Sequence, residues 1–237
     1  MKKHFFLLLL LCPLVLFAQR VPDEDDILAK ILDSESRYYY PSLMLRYIGG
    51  DTTLTYDDYY YLYYGYAYDE NYKPLESPPA ENPILEVFSE TEHPDRLQAH
   101  RIIEAAKDNM LFDPFSPRNI NYLTYAYGLI GDTVNEWINA GRFRKVIHTI
   151  RSSGTGLKED SPWHILYWTH ADDVLGSMGL DIENKQVRTR SVEYISLKKR
   201  DGKAKGYFFD FSRIYRKQPE KTPKRKRPNW MLNDYPL

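Results

Sequence analysis

The sequence predicts an α+β fold, with tetratricopeptide-like helical hairpins in the N-terminal part and a small antiparallel β-sheet in the C-terminal part. Up to residue 150, apolar residues recur every three or four positions, which is the period of an amphipathic helix. Beyond residue 160 they alternate with polar residues, which is the period of a half-buried strand. The chain has 237 residues, of which 43% are hydrophobic and 27% are charged. It is therefore long enough to bury a core.

The first 18 residues have the features of a secretory signal peptide. Lys2 and Lys3 form a short basic region, and the apolar stretch Phe5–Phe17 follows them. This stretch is shorter than the roughly 20 residues that a membrane-spanning helix requires. We place the cleavage after Ala18. We therefore expect a periplasmic or secreted protein whose mature chain has no transmembrane helix.

Cys12 is the single cysteine of the chain. A lipoprotein signal normally has a small residue before its acylated cysteine, whereas here Leu11 precedes Cys12 and Pro13 follows it. We therefore expect no lipid anchor, and we expect Cys12 to be removed with the leader. The mature chain then has no thiol, which excludes disulfides, thiolate catalysis and cysteine–zinc sites. We also expect no cofactor.

Three short helices are predicted after the leader. The first covers Asp26–Leu32 behind an acidic first turn, which suits the positive end of a helix dipole. The second covers Tyr38–Ile48, with Pro41 in its first turn and the Gly49-Gly50 pair at its end. Thr55 is the predicted N-cap of the third helix.

Nine tyrosines lie between Tyr56 and Tyr72, in and just after the third predicted helix. They occupy more than one side of that helix, so at least two sides need partners. A tyrosine ring with its hydroxyl can stack on a sugar or grip a peptide. The alternative, which we favour, is a helix packed between its neighbours, with the hydroxyls bonded to backbone or solvent. On the first interpretation the ligand-binding residues are Tyr60, Tyr61, Tyr63 and Tyr64.

Three amphipathic helices are predicted between Pro94 and Ile150. Asp113-Pro114 and Gly131-Asp132 separate them at a tetratricopeptide-like spacing, and Ile120–Tyr127 fits the first-helix pattern of that repeat with two substitutions. The second-helix pattern does not fit, so we expect repeat-like stacking without a regular array. The predicted buried stripes are Leu97, Ile102, Ile103, Ala106, Met110 and Leu111; Ile120, Leu123, Tyr127 and Ile130; and Trp137, Ile138, Phe143, Val146, Ile147 and Ile150.

The remaining residues predict a loop followed by the sheet. A strict two-residue turn at Asp201-Gly202 would place Glu193 opposite Asp210, which is a like-charge pair, so we expect a longer loop or a bulge there. The predicted elements are a loop at Ser152–Asp160, a strand at Trp163–Trp168, a short helix or turn at Asp172–Gly179, and strands at Val187–Lys199 and Gly206–Tyr215.

The predicted organisation has four parts: a signal peptide at 1–18, a helical repeat-like region at 19–152, a β-sheet region at 153–215 and a basic, proline-rich tail at 216–237. The formal net charge is −1. A basic run can bind nucleic acid or anionic lipid. Because prolines interrupt this one and the protein is predicted to be exported, we expect a solvated tail and no nucleic-acid partner.

Several short segments make the chain similar to a known family. They are Tyr39-Tyr40-Pro41 followed by an apolar helix and Gly50-Asp51, the block Leu62–Gly65, the turns Asp113-Pro114 and Gly131-Asp132, and the strand Gly206–Asp210. On these residues the chain resembles a family of Bacteroidetes secreted proteins, domain-of-unknown-function family 4919, over about residues 34–215. The resemblance implies secretion and a shared architecture. It implies no activity, ligand or catalytic residue.

His164, His170 and Asp172 are candidate metal ligands. If the strand continued unbroken, both histidines would face the same side with Asp172 close behind, and such a set could hold zinc with an open position for hydrolysis. The alternative, which we favour, is one histidine hydrogen-bonded in the sheet and one capping the turn at Asp172. The sequence has no G-x-S-x-G elbow, so a serine hydrolase is not expected.

These observations predict an exported, non-enzymatic binding or protein-interaction module of the cell envelope, with no catalytic residue assigned. Repeat-like helices usually present a concave face to a peptide or protein, so the expected partner is an envelope protein, a peptide or a glycan. The alternative is a metal-assisted hydrolase acting on glycans or envelope material, centred on His164, His170 and Asp172.

Overall fold

The computed structural model describes residues 19–76, 82–202 and 204–215. The predicted signal peptide with Cys12 and the predicted basic tail lie outside these residues. Within them the chain forms eight α-helices and four β-strands, which confirms the α+β class. The helices are α1 (Glu24–Leu32), α2 (Tyr40–Ile48), α3 (Tyr56–Gly65), α4 (Asn82–Glu90), α5 (Arg96–Phe112), α6 (Pro117–Ile130), α7 (Thr133–Arg151) and α8 (Trp168–Ser177).

The strands form one sheet in the order β1-β4-β3-β2. The three longer strands pair antiparallel, as predicted, whereas β1 joins β4 in parallel, so the sheet is mixed. The strands are β1 (Trp163–His164), β2 (Ile182–Val187), β3 (Val192–Asp201) and β4 (Ala204–Asp210).

The β3–β4 hairpin avoids the like-charge pair that a strict two-residue turn would create. Val192 pairs with Asp210 and Glu193 pairs with Phe209. The register shifts between Ser196 and the turn, where Gly202 has a φ of 55°. Glycine adopts this left-handed conformation without steric strain. The predicted irregularity at this hairpin is confirmed.

Local capping explains where the predicted N-terminal helices begin. Asp23 accepts hydrogen bonds from two backbone amides in the first turn of α1. Thr55 and Asp58 form a reciprocal capping box at α3, which satisfies donors that the helix leaves unpaired. After α2, Gly50 has a φ of 75°. The capping predictions made for α2 and α3 are confirmed.

The helices α5, α6 and α7 follow one another as predicted. Gly131 ends α6 in the left-handed conformation, and the Asp132 side chain caps α7. Leu97, Leu111 and Trp137, however, were predicted to be buried and are 72%, 81% and 63% exposed. Leu97 lies two residues before the buried Ala99, and Trp137 two residues before the buried Asn139. At about 100° per residue, both side chains point away from the buried face.

The predicted strand at Trp163–Trp168 is wrong beyond its second residue. Ile165, Leu166 and Tyr167 are all buried, so burial does not alternate and the backbone leaves the sheet. The Leu166 amide donates to the hydroxyl of Tyr63 (3.2 Å) rather than to a neighbouring strand. Helix α8 therefore begins at Trp168, earlier than predicted. Strand β2 was missed because nearly all its residues are exposed and polar.

Candidate functional site

The four tyrosines predicted to bind a ligand are core residues. Tyr60 and Tyr61 are each 4% exposed, and Tyr63 and Tyr64 are fully buried. The prediction of an aromatic ligand surface is therefore wrong. Helices α1, α2 and α7 all pack against α3, so the helix is buried on every side from Asp58 to Gly65 and the favoured alternative is correct.

Their hydroxyls bind groups on other elements, as a buried hydroxyl must. Tyr60 accepts from the Asp23 amide at 3.0 Å. Tyr61 donates to the Asp26 carboxylate at 2.8 Å. Tyr64 donates to the carbonyl of His164 at 3.2 Å. The tyrosine-rich segment thus connects the N-terminal helix to the sheet.

Tyr63, His170 and Asp113 form a buried hydrogen-bonded chain. The Tyr63 hydroxyl lies 2.7 Å from His170 Nδ1, and His170 Nε2 lies 2.7 Å from the Asp113 carboxylate. Of the two described contacts of the hydroxyl, the Leu166 amide is a donor and His170 Nδ1 can accept, so the hydroxyl proton is assigned to Nδ1. The ring proton is then assigned to Nε2, which donates to Asp113.

This arrangement contains the groups of a catalytic relay but offers no access to a substrate. Tyr63 and His170 are 0% exposed and Asp113 is 6% exposed. Burial raises the pKa of Tyr63 well above its ordinary value, so the hydroxyl stays protonated at neutral pH. The chain links α3, α8 and the α5–α6 turn, which indicates a structural role.

The three predicted metal ligands do not form one site. His170 uses both ring nitrogens in the buried chain, while His164 Nδ1 lies 3.4 Å from Asp210 Oδ1. Asp172 forms an ion pair with Lys185 at 2.6 Å. Among the described residues, no group of three or more histidine, cysteine, aspartate or glutamate side chains could hold a metal ion. The predicted zinc set is wrong because strand β1 ends at His164.

His164 belongs instead to a second buried polar cluster, with Asp210 and Arg213. Arg213 is 4% exposed, lies 3.3 Å from His164 Nδ1, and donates to the Pro22 carbonyl at 3.3 Å. Burial acts to raise the pKa of Asp210, but hydrogen bonds from His164 and Ser212 outweigh it and lower that pKa to about 2. The cluster fixes the end of β4 against the N-terminal segment.

A well-formed cleft of about 580 Å³ lies between α2, α5, α6 and α7, and we call it the interhelical cleft. Its floor is mainly apolar and aromatic, and its rim carries two cations and several amides. The lining residues are Met44, Tyr47, Ile48, Gly49, Gly50, Tyr66, Asp69, Asn71, Lys107, Met110, Leu111, Pro114, Leu123, Tyr127, Asn135, Ile138, Asn139 and Arg142.

The two cations of the cleft are held differently. Arg142 donates to the carbonyls of Tyr47 and Ile48 at the end of α2, and its guanidinium lies 4.5 Å from the centre of the Tyr47 ring. Lys107 is exposed, and its Nζ lies 5.9 Å from the centre of the Tyr127 ring. Within the described part of the chain Lys107 has no ion pair. It is the cation that a ligand can reach.

Two exposed apolar side chains stand at the edge of the cleft. Ile48 is 68% exposed and Leu111 is 81% exposed, beside the lysine rim. Exposed apolar surface bordered by polar residues is typical of an interaction site. The residues of the cleft come from four helices, so no spacing along the chain could have predicted it.

A comparison with protein families identifies the chain. A family model described as Domain of unknown function (DUF4919) matches residues 25–220. The chain belongs to the DUF4919 family. No curated protein and no solved structure matches it.

The DUF4919 match spans α1 from its second residue, the other seven helices and the whole sheet, and therefore includes the interhelical cleft and both buried polar clusters. The predicted family membership is confirmed. The Bacteroidetes origin stays a prediction. None of the described helices of this DUF4919 protein is long and apolar enough to cross a membrane.

Proposed function

We propose that this DUF4919 protein is an exported, non-enzymatic binding protein of the bacterial cell envelope, of Bacteroidetes origin, and that the interhelical cleft takes a peptide segment of its partner. The single observation that carries the proposal is the combination in one cleft of an apolar floor with a reachable cation, Lys107. A volume of about 580 Å³ lies within the usual range for ligand pockets.

The lining chemistry favours a peptide that has an apolar side chain and a carboxylate. The apolar side chain fits the floor at Met110, Leu123 and Ile138, and the carboxylate is complementary in charge to Lys107 and to the rim at Arg142. A free C-terminal carboxylate next to an apolar residue supplies both groups at once. Capture of a terminal carboxylate is a recurring mode of peptide recognition.

The same lining supports binding rather than catalysis. Among the described residues that line the cleft there is no histidine, cysteine or serine, the side chains that most often act as base or nucleophile. Its one carboxylate, Asp69, accepts from the amide and the side chain of Asn71. The hydrogen-bonded chain of Tyr63, His170 and Asp113 lies in the core, away from solvent.

Cleavage after Ala18 is compatible with the contacts of the segment that follows it. The Arg20 amide donates a hydrogen bond to the Ser152 carbonyl at 2.8 Å, and the Arg20 guanidinium forms an ion pair with Asp57 at 2.9 Å. Ser161 donates to the side chain of Gln19 at 3.3 Å. A mature chain that begins at Gln19 keeps all of these contacts. Mass spectrometry of the protein recovered from an envelope fraction checks this, with a first residue of Gln19 expected.

The binding proposal is tested by fluorescence anisotropy with short labelled peptides that carry leucine or phenylalanine and end in a free carboxylate. Copies with an amidated terminus are the ligand controls. We expect Lys107→Glu to weaken binding by about tenfold or more, because a reversed charge repels the carboxylate. Leu111→Ser removes an apolar side chain from the edge of the cleft without disturbing the core, and it should also weaken binding.

Lys30→Glu is the matched control, because Lys30 is an exposed lysine on α1 and does not line the cleft. It makes the same change in net charge and should leave peptide affinity unchanged. Equal weakening by Lys30→Glu would mean that only net charge matters. Equal affinity for the carboxylate and amide peptides would mean that Lys107 does not bind the terminal carboxylate. Either outcome, or no binding of any peptide, contradicts the proposal.

A further inference from the structure

The outer face of the sheet, opposite the core, forms a second concave surface. Its residues are distant in sequence from those of the interhelical cleft. Because side chains alternate along a strand, the buried Ile195 and Phe209 define the inner face. Tyr194 and Phe208 therefore lie on the outer face. They pair across β3 and β4, and Gln186 of β2 pairs with Tyr194 on its other side. One row of side chains crosses all three strands.

Two aromatic rings form the floor of this surface. The centres of the Tyr194 and Phe208 rings are 4.8 Å apart. Gly206 lies in the next row, and a Cβ there would come within 2.6 Å of Tyr194 Cζ. The Tyr194 ring therefore packs flat over Gly206 instead of projecting away from the sheet. The result is a broad, half-exposed aromatic floor.

Cations border the floor. The Arg188 guanidinium lies over the Tyr194 ring, 5.2 Å from its centre, and Lys205 is among the lining residues at one end of the same groove of about 650 Å³. Within the described residues neither cation forms an ion pair. The carboxylate of Glu183, one row away, accepts from the Ser196 hydroxyl at 3.3 Å. The opposite wall is Leu157, which is 55% exposed.

We propose that this outer face binds an acidic polysaccharide. A sugar ring stacks on the Tyr194–Phe208 floor, and its carboxylate binds Arg188. The Gln186 amide, in the same row, donates and accepts hydrogen bonds with ring hydroxyls. An aromatic ring that offers a flat apolar face beside polar groups suits a sugar, which has one apolar face and a polar edge.

The arrangement favours a sugar over single-stranded nucleic acid. Nucleic-acid grooves use successive aromatic rings on which successive bases stack, along a line of cations that follows the phosphates. Here the two rings are adjacent and inclined to each other by 48°, so they do not offer parallel faces to two successive bases, and Arg188 lies over one of them. A ligand that stacks one sugar ring and carries one carboxylate therefore matches the groove. Charge complementarity points to an acidic sugar rather than a neutral one.

The test is isothermal titration calorimetry of the full chain with a panel of short oligosaccharides of uronic acids. Methyl esters of the same sugars and a short single-stranded oligonucleotide are the comparison ligands. We expect the acids to bind and the esters to bind about tenfold more weakly or not at all. Tyr194→Ala and Arg188→Ala should each raise Kd by about tenfold or more.

Lys30→Ala and Lys107→Glu are the matched controls. The first removes one positive charge outside the groove, and the second disables the interhelical cleft, so both should keep full affinity for the acidic sugars. The cations of residues 216–237 are present in every variant and cancel in the comparison. Circular dichroism and the thermal midpoint show whether Tyr194→Ala is folded. Arg188→Ala changes an exposed side chain and tests the proposal even if Tyr194→Ala does not fold.

Three results with the sugars overturn the proposal: no binding of any acidic sugar, equal binding of the methyl esters, or unchanged affinity in Arg188→Ala. Tighter binding of the oligonucleotide than of every sugar would assign the face to nucleic acid and overturn it as well. None of these results bears on peptide binding in the cleft. Failure of the peptide test likewise leaves the sugar test intact.

Discussion

The protein has two cores that are stabilised by different chemistry. Around α3, every residue from Asp58 to Gly65 is buried, and the tyrosine hydroxyls and His170 bind partners on distant elements. We call this the tyrosine core. The second, which we call the hairpin core, lies within α4, α5 and α6 and is almost wholly apolar. Its residues are Ile84, Val87, Ala99, Ile102, Ile103, Ala106, Leu123, Ala126 and Tyr127.

The two cores differ in how strictly their contacts depend on distance and angle. An apolar core requires matched volume, and it tolerates a small change of shape at modest cost. A buried hydroxyl or imidazole requires a partner at one distance and angle, and leaving that partner unpaired costs the full desolvation of the group. The tyrosine core therefore fixes how α3, α8 and the sheet meet, whereas the hairpin core can adjust.

The interhelical cleft lies where the two cores meet. Tyr47 and Tyr66, from the tyrosine core, line it together with Leu123 and Tyr127 from the hairpin core. Met110 packs against both cores. One wall is thus fixed by hydrogen bonds and the other by apolar packing. A site built in this way can adapt one wall to a ligand without loosening the body of the fold.

The largest expected effect comes from removing the centre of the buried hydrogen-bonded chain. His170→Ala leaves the Asp113 carboxylate and the Tyr63 hydroxyl buried without their partner, and each unsatisfied buried group costs about 1–3 kcal/mol, with more for a charged group such as the carboxylate. Urea unfolding followed by circular dichroism measures this loss. His148→Ala is the control, because His148 is only half-buried and stacks on the exposed Tyr56. A loss below about 1 kcal/mol in His170→Ala would mean that the chain contributes little.

The second expected effect is a pH dependence of the free energy of unfolding. It arises from Asp210, which lies beside the tyrosine core. Because the folded pKa of Asp210 is lowered to about 2, its ionised form stabilises the fold at pH values above the unfolded pKa of about 4. This contribution, on the order of 2 kcal/mol, is lost as the pH falls from about 4 to about 2. Asp210→Asn should therefore be less stable than the wild type at neutral pH, and the difference should shrink over that range.

Urea unfolding at neutral pH and near pH 3 measures this change. Asp108→Asn is the control, since Asp108 is exposed on α5, and it should change stability by less than about 0.5 kcal/mol at either pH. A difference between Asp210→Asn and the wild type that stays constant with pH would show that the carboxylate acts by its shape and not by its charge.

How far the sequence predicted these regions depends on the range of the interactions. The cap at Thr55 and the turn at Gly131 are set by residues within one helical turn, and both were predicted correctly. The partner of Tyr63 lies 107 residues away, and no local pattern encodes that separation. The early end of strand β1 has the same cause, because the Leu166 amide bonds to Tyr63 rather than to a neighbouring strand.

The candidate sites show the same limit. The tyrosines were noticed for their composition, yet only the packing of α1, α2 and α7 around α3 decides that they are buried. His164 and His170 have a spacing that suits a strand, but the backbone leaves the sheet between them. The interhelical cleft gives no signal in the sequence, because Lys107 and Arg142 lie on different helices and meet only in the fold.

The smallest expected effect compares the two cores atom for atom. Tyr63→Phe and Ile102→Val each delete one heavy atom from a fully buried side chain, an oxygen in the tyrosine core and a carbon in the hairpin core. The first leaves the Leu166 amide and His170 Nδ1 without a partner and should cost about 1–3 kcal/mol. The second leaves a small cavity and should cost about 0.5–1.5 kcal/mol.

The free energies of unfolding of the two variants are measured in urea under the same conditions. Their comparison decides whether a directional hydrogen bond or the filling of volume contributes more to stability. Tyr125→Phe is the control for the hydroxyl, because Tyr125 is 38% exposed on α6 and its loss should stay within about 0.5 kcal/mol. If Ile102→Val costs as much as Tyr63→Phe, the hydroxyl contributes no more than a methyl group. The fixed wall and the adaptable wall of the cleft would then have the same origin, and the contrast drawn between the cores would fail.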